Sequence, residues 1–307
     1  MLGFVPHPQP TLIIFKNARK IMNLSIEQLK TLPVFGIAGN FAEHLSQAGE
    51  DADFINVITE EENAPKGIFP IYLPDHPSFL GDFPLAHTEL QADFSGELNL
   101  HMEPEICVLF DVNYQDGNIA SLQALAFTAF NDCSIRKPNA KKISEKKNWG
   151  ASCTGIAQQW QTIDQFQSGG ILDNYHIVSY LRRNDKVMQY GVDSPVTGYQ
   201  FFYGKLLKWI INTLNKQVDF GPLENLHHYL LALHQPSQII ISLGATRYTE
   251  FGETGFLQPD DQIGVMVYDS TKATVVDMQG FFAEQKAANS LVSGVALIQT
   301  VAHTSCQ

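Results

Sequence analysis

The sequence is short of the features that mark several large classes of protein. No apolar run approaches the ~18 residues that a membrane-crossing helix needs; candidates such as 239–243 are of strand length. Cationic side chains are few: 20 Lys and Arg stand against 32 Asp and Glu, a formal charge of −12. That balance argues against a general nucleic-acid binder or an anionic-membrane binder. The four cysteines (Cys107, Cys133, Cys153, Cys306) form no C-x-x-C pair, and a reduced, cytoplasmic setting is expected. Neither G-x-G-x-x-G nor a P-loop occurs, so a nucleotide or dinucleotide cofactor has no support. Internal repeats and low-complexity tracts are absent as well. What the chain has is apolar mass. Of its 307 residues 44% are hydrophobic, with 20 Phe and 10 Tyr, enough for a large folded core.

Local signals divide the chain. Pro6, Pro8 and Pro10 precede an apolar run at 11–15 that is too short for a signal-peptide core. After Met22 the sequence reads as a first helix with Ser25 as its N-cap, so residues 1–30 are expected to be an extension plus that helix. A short strand at 34–38 leads through Gly39-Asn40 into a helical stretch at 41–47, followed by an acidic, irregular loop at 49–66. Five prolines between 65 and 84 leave extended chain and turns there. Strands at 98–112 and 119–130 flank an Asp116-Gly117 turn, and strands at 177–182 and 187–190 flank Asn184-Asp185. Helices are expected at 204–215 and 223–234, then a strand at 238–243 and a last core strand at 262–268. The pattern is α+β and mostly strand. A catalytic-sized domain over 31–275 and a C-terminal tail over 276–307 are expected.

The segment His101-Met-Glu103-Pro-Glu105 carries the chemistry. Alternation puts Glu103 and Glu105 on one strand face with Cα atoms roughly 7 Å apart. Two carboxylates so placed repel unless a cation or proton lies between them, and an all-oxygen set suits Mg²⁺, Mn²⁺ or Ca²⁺ better than zinc. Pro104 between them lacks an N–H and points to a sheet edge or bulge. The plain alternative is a solvated strand face. A second strand ends in Asn131-Asp132-Cys-Ser134-Ile-Arg136, where Asp132 can supply a third ligand. The only dense basic block follows: Arg136, Lys137, Lys141, Lys142, Lys146 and Lys147. Beside paired carboxylates it suggests a small anionic substrate, although a charge run is usually a solvated face.

In order and spacing, these segments resemble the fumarylacetoacetate hydrolase family. Residues 99–105 resemble its H-x-E-x-E strand, and residues 131–136 its N-D-x-S-x-R segment. Lys147 to Cys153 is similar to its lysine segment, Gly39-Asn40-Phe41-Ala42-Glu43-His44 to its G-x-N-Y-x-x-H lid, and 184–191 to its N-G-x-x-x-Q-x-G hairpin. The resemblance implies a mixed β-sandwich or β-roll core with short peripheral helices, and a homodimer. It implies Mg²⁺ or Mn²⁺ on Glu103, Glu105 and Asp132, and His44, Lys147 and Arg136 as catalytic groups. His101, Gln189 and Thr246 would bind substrate. The activity implied is hydrolysis, decarboxylation or isomerisation of a 1,3-dicarbonyl or acylpyruvate-type oxo-acid. Three positions depart from the pattern: Ala245 replaces a substrate-contacting Thr, Gln47 replaces the acidic partner of the lid histidine, and Leu73 replaces a lysine. These departures point to an alternative, a protein that binds metal or ligand without turnover. Glu50, one to two helical turns beyond His44, is then the available acidic partner. His227, His228 and His234 lack an H-E-x-x-H arrangement and read as helix-surface residues, and Cys153 reads as packing behind Lys147.

Overall fold

The computed structural model describes residues 21–96, 98–136 and 140–304. The expected extension over residues 1–20, together with Lys137 and Cys306, lies outside the described residues. Two long strands form the spine. Pro104–Gln115 and Asn118–Asn131 pair antiparallel about the Asp116-Gly117 turn. Both turn residues have positive φ, the type I′ geometry that suits a twisted hairpin. The sheet runs outward from them through Gln238–Ser242, Val34–Ala38 and Gly67–Tyr72 on one side. On the other side lie Gln159–Thr162 and Ile21–Asn23. Met22 is thus held in a strand, and Ser25 caps helix Ile26–Leu29 in a capping box with Gln28.

Alternation along these strands feeds two cores. Ile106, Val108, Phe110, Ile239 and Ile241 face one cluster, whereas Cys107, Leu109 and Ile240 face another. A sheet buried on both faces reads as a near-continuous apolar run. The first cluster lies against a five-stranded sheet ordered Lys186–Pro195, Tyr175–Arg183, Gln262–Asp269, Gly294–His303 and Glu89–Ala92. The outer face of that sheet is covered by helix Val275–Ala283 through Met278, Phe281 and Phe282. Helix Tyr203–Lys216 seals the first cluster with Leu206, Ile210 and Leu214.

This arrangement is α+β. Two expectations need correction. Gln262–Asp269 is not the last core strand, because Gly294–His303 pairs with it over seven residues and parallel with Glu89–Ala92 on its other side. The stretch 276–307 therefore contains a buried strand rather than only a tail. Pro104 sits at neither edge nor bulge. It is the first residue of a central strand, where its missing N–H breaks no interior ladder bond. The second of the two expected helices is shorter than the pattern, Leu226–Ala232, because Asn225 caps it by accepting the His228 N–H at 3.1 Å. No described helix is long and apolar enough to cross a membrane.

Candidate metal centre

Strand register brings the three acids together. Pro104 pairs with Asn131 and Glu105 with Phe130, so Glu103 and Asp132 stand opposite each other at the end of the hairpin. The Asp132 N–H donates to the Glu103 carbonyl at 3.0 Å, and the Glu103 N–H donates to Asn131 Oδ1 at 3.0 Å. Glu103 and Glu105 share a face by period two, and Asp132 shares it through Phe130. Their ligand atoms lie within 4.8 Å of one another and all three residues are buried, the one such group among the described residues.

Adjoining strand ends complete the wall. Beyond Gln238–Ser242, Gly244 turns with φ +106° and donates its N–H to Glu105 Oε2 at 2.9 Å. A Cβ there would come within 3.1 Å of the Ile37 carbonyl, so the turn needs glycine. Asn40 staples the neighbouring strand end by donating to the carbonyls of Leu243 and Phe201. The short helix Ser144–Lys147 is anchored by Asn148, whose amide donates to the carbonyls of Ile71 and Asp82 at 2.9 Å each. From it Lys147 reaches over the Phe69 ring to Glu103 at 2.6 Å and Asp132 at 2.8 Å.

The remaining expected residues fall into two groups. Arg136 enters the site, 2.7 Å from Glu50 and 3.0 Å from Glu103. It also donates to His101 Nδ1 at 2.9 Å and to Tyr248 Oη at 3.3 Å. His44 begins helix His44–Gln47 and lies 3.8 Å from Glu103. Its Nδ1 is 3.0 Å from the Thr246 carbonyl, which can only accept. Nδ1 therefore carries the hydrogen, and in the neutral ring Nε2 is left free on the carboxylate side. Gln189 and Thr246 are outside the cavity lining. Gln189 donates to the Gly191 carbonyl, and the Thr246 hydroxyl faces the Pro104 carbonyl at 3.4 Å. Thr246 thus meets the site through its backbone, which orients His44.

Several residues were not singled out by the sequence for what they do here. Glu50 does not partner His44; it binds Arg136 and lies 3.5 Å from Lys146. Gln47 instead bonds the Tyr248 backbone from both ends of its amide. Tyr248 lies between the two site histidines, 5.1 Å from each ring, edge-on to His44 and tilted against His101. Leu73 is fully buried in the first core. Among the described residues of the basic block, Arg136, Lys146 and Lys147 point inward, Lys142 holds the 219–223 loop through Asp219 and two carbonyls, and Lys141 is exposed. His228 and His234 are exposed, and Cys153 is buried behind Lys147 with its thiol pushed up to about 11 by burial.

Charge in the site is tightly balanced. Burial alone would raise Glu103, but Lys147 and Arg136 hold it well below the usual carboxylate range. Burial, then Asp132, drives Glu105 well above it. Burial pushes Asp132 up to about 7 against the pull of Lys147, with Glu103 adding to the rise. His101 is lowered to about 3 by burial and by Arg136, and stays neutral. Three hard oxygen donors, with Asp132 Oδ1 lacking any hydrogen-bond partner, fit a divalent cation such as Mg²⁺ or Mn²⁺. The cavity they line with His44, Glu50, Lys147 and Ala245 is about 20 Å³. That admits one water or a bare ion, so any larger ligand requires the lining to move.

Residues 50–301 match a family described as "Family of unknown function (DUF5718)". No curated protein matches the sequence. Similar solved structures include Cg1458 with inhibitor, at TM-score 0.53 and 15% identity over 89% of this chain and 77% of that one. A 2-keto-3-deoxyarabinonate dehydratase aligns at TM-score 0.52 and 13% identity over 89% and 75%. Yeast ynq8, a fumarylacetoacetate hydrolase family protein, aligns at TM-score 0.50 and 11% identity over 91% and 96%. The chain has the fumarylacetoacetate hydrolase fold.

Proposed function

This chain belongs to the DUF5718 family, and we propose that it is a metal-dependent enzyme acting on a small oxo-acid of the 1,3-dicarbonyl or acylpyruvate type, by C–C hydrolysis, decarboxylation or isomerisation. The observation that carries the reading is the buried triad of Glu103, Glu105 and Asp132 with two fixed cations beside it. Mg²⁺ or Mn²⁺ held by the triad supplies Lewis-acid stabilisation of negative charge at a carbonyl oxygen. Arg136 and Lys147 add positive charge for the substrate's anionic group. His44, with Nδ1–H fixed on Thr246, takes a proton at Nε2 from water or from carbon. The lid that carries His44 closes the site to bulk water, which strengthens each of these interactions.

A second reading, binding without turnover, is favoured by Ala245 in the cavity wall and by the small space left when the lid is shut. A screen of acylpyruvates, oxaloacetate and unsaturated dicarboxylates in Mg²⁺ or Mn²⁺ separates the two. The enzymatic reading expects turnover that disappears in Glu105→Ala and Asp132→Ala, together with ion affinity measured by calorimetry, because two oxygens seldom hold Mg²⁺ against water. Ligand binding with no product from any of them supports the second reading. Unchanged ion affinity in both variants rules out the triad.

A further inference from the structure

The lid brings a carboxylate of its own into the site. Helix His44–Gln47 ends at Ala48, and Gly49 reverses the chain at φ +69°. The Gly49 N–H donates to the Ser46 carbonyl at 3.1 Å and the Glu50 N–H to the Leu45 carbonyl at 2.9 Å, the two bonds of a Schellman helix end. That reversal turns Glu50 inward, where it is 5% exposed and lines the same cavity as the acidic triad. Its Oε1 receives Arg136 Nη1 at 2.7 Å and lies 3.5 Å from Lys146 Nζ.

Neither cation depends on Glu50 alone for its place. Arg136 is also held by Glu103, by His101 and by Tyr248, and Lys146 is bonded to Asp53. Their side chains are 12% and 9% exposed, so the pair is a built feature of the interior. Glu50 is therefore a carboxylate shared between Arg136, which is positioned from outside the lid, and Lys146, which is held by Glu50 and by Asp53 of the same segment. An external carboxylate has the same charge, the same two oxygens and the same need for donors. It can replace Glu50 on Arg136 and Lys146 with no change in the net charge of the site.

We propose that Glu50 is the resident occupant of an anion seat built by Arg136 and Lys146, and that a carboxylate ligand enters by displacing it and so unlatches the lid. The identity of the natural ligand as an oxo-acid rests on the function proposed above; the seat does not, since it involves no metal. Chemical rescue tests it. In excess chelator, Glu50→Ala leaves the seat empty and melts below the wild type, and formate is the probe. Formate should raise the melting temperature of Glu50→Ala saturably, while chloride at equal ionic strength does not and the wild type hardly responds. A Glu50→Ala protein that responds equally to formate and chloride overturns the seat. If Glu50→Ala does not fold, Glu50→Gln decides by hydrogen exchange of residues 44–54. Opening about tenfold more frequent than in wild type supports the latch, and unchanged protection overturns it. Because chelator is present throughout, failure here leaves the ion site standing, and failure of ion binding leaves the seat standing.

Discussion

His44 is the residue whose role is set by a single backbone contact. The Thr246 carbonyl fixes the proton on Nδ1 and leaves Nε2 free on the side of the carboxylates, 3.8 Å from Glu103. His44→Asn should lower turnover of any substrate found by at least ~100-fold, within the range for a lost acid–base group, and should leave Mn²⁺ affinity unchanged. Full turnover in that variant would move the base role elsewhere. Much of this site could be read residue by residue. Glu103, Glu105 and Asp132 are legible because period two and hairpin register act locally. Lys146 and Glu50 are not. Lys146 looks like one more member of a solvated run until Asp53 and Glu50 are seen against it, and those contacts span more than ninety positions.

Among the elements, the lid helix shows how one glycine sets the position of a distant charge. Gly49 has open space around its Cα, so Gly49→Ala meets no clash and suffers only from its left-handed φ of +69°. The expected loss is ~1–2 kcal/mol, confined to the lid. It should appear as faster hydrogen exchange at the amides of Ala48 and Glu50, with the strand amides of Pro104–Gln115 unaffected. Equal exchange in the two proteins would show that the turn does not hold the lid. The Asp116-Gly117 and Asn184-Asp185 turns were legible from their turn chemistry, although two of the strands beside them run Pro104–Gln115 rather than 98–112 and Lys186–Pro195 rather than 187–190. Gly294–His303 was not. Val295, Ala296 and Leu297 are all buried because the strand is covered on both faces, which removes the alternation that marks a half-exposed strand.

Across the whole molecule, the net charge of −12 makes the buried acids a stability problem that depends on pH. Asp132 is pushed up to about 7, chiefly by burial, and Glu105 is raised by burial and by Asp132. The metal-free folded state therefore keeps protons that the unfolded chain releases near pH 4. Stability from these two groups is present at low pH and falls as pH rises towards 7. Glu103, held low chiefly by Lys147 against burial, works the other way, and its contribution is lost only as pH falls below the ordinary carboxylate range. In chelator the melting temperature should fall between about pH 4 and 7, and Asp132→Asn should flatten that fall. A wild-type profile that is flat, or that rises, would contradict the charge assignments.

The central claim is that an oxo-acid reaches this fold through a divalent ion on Glu103, Glu105 and Asp132. Oxalate, a small dicarboxylate that chelates hard ions, tests it most directly. With Mg²⁺ or Mn²⁺ present, oxalate at 100 times its dissociation constant should stabilise the protein by about 2.7 kcal/mol, a clear rise in melting temperature, with no rise in excess chelator. A rise of equal size in chelator would contradict the account, since the ligand would then be bound without the ion.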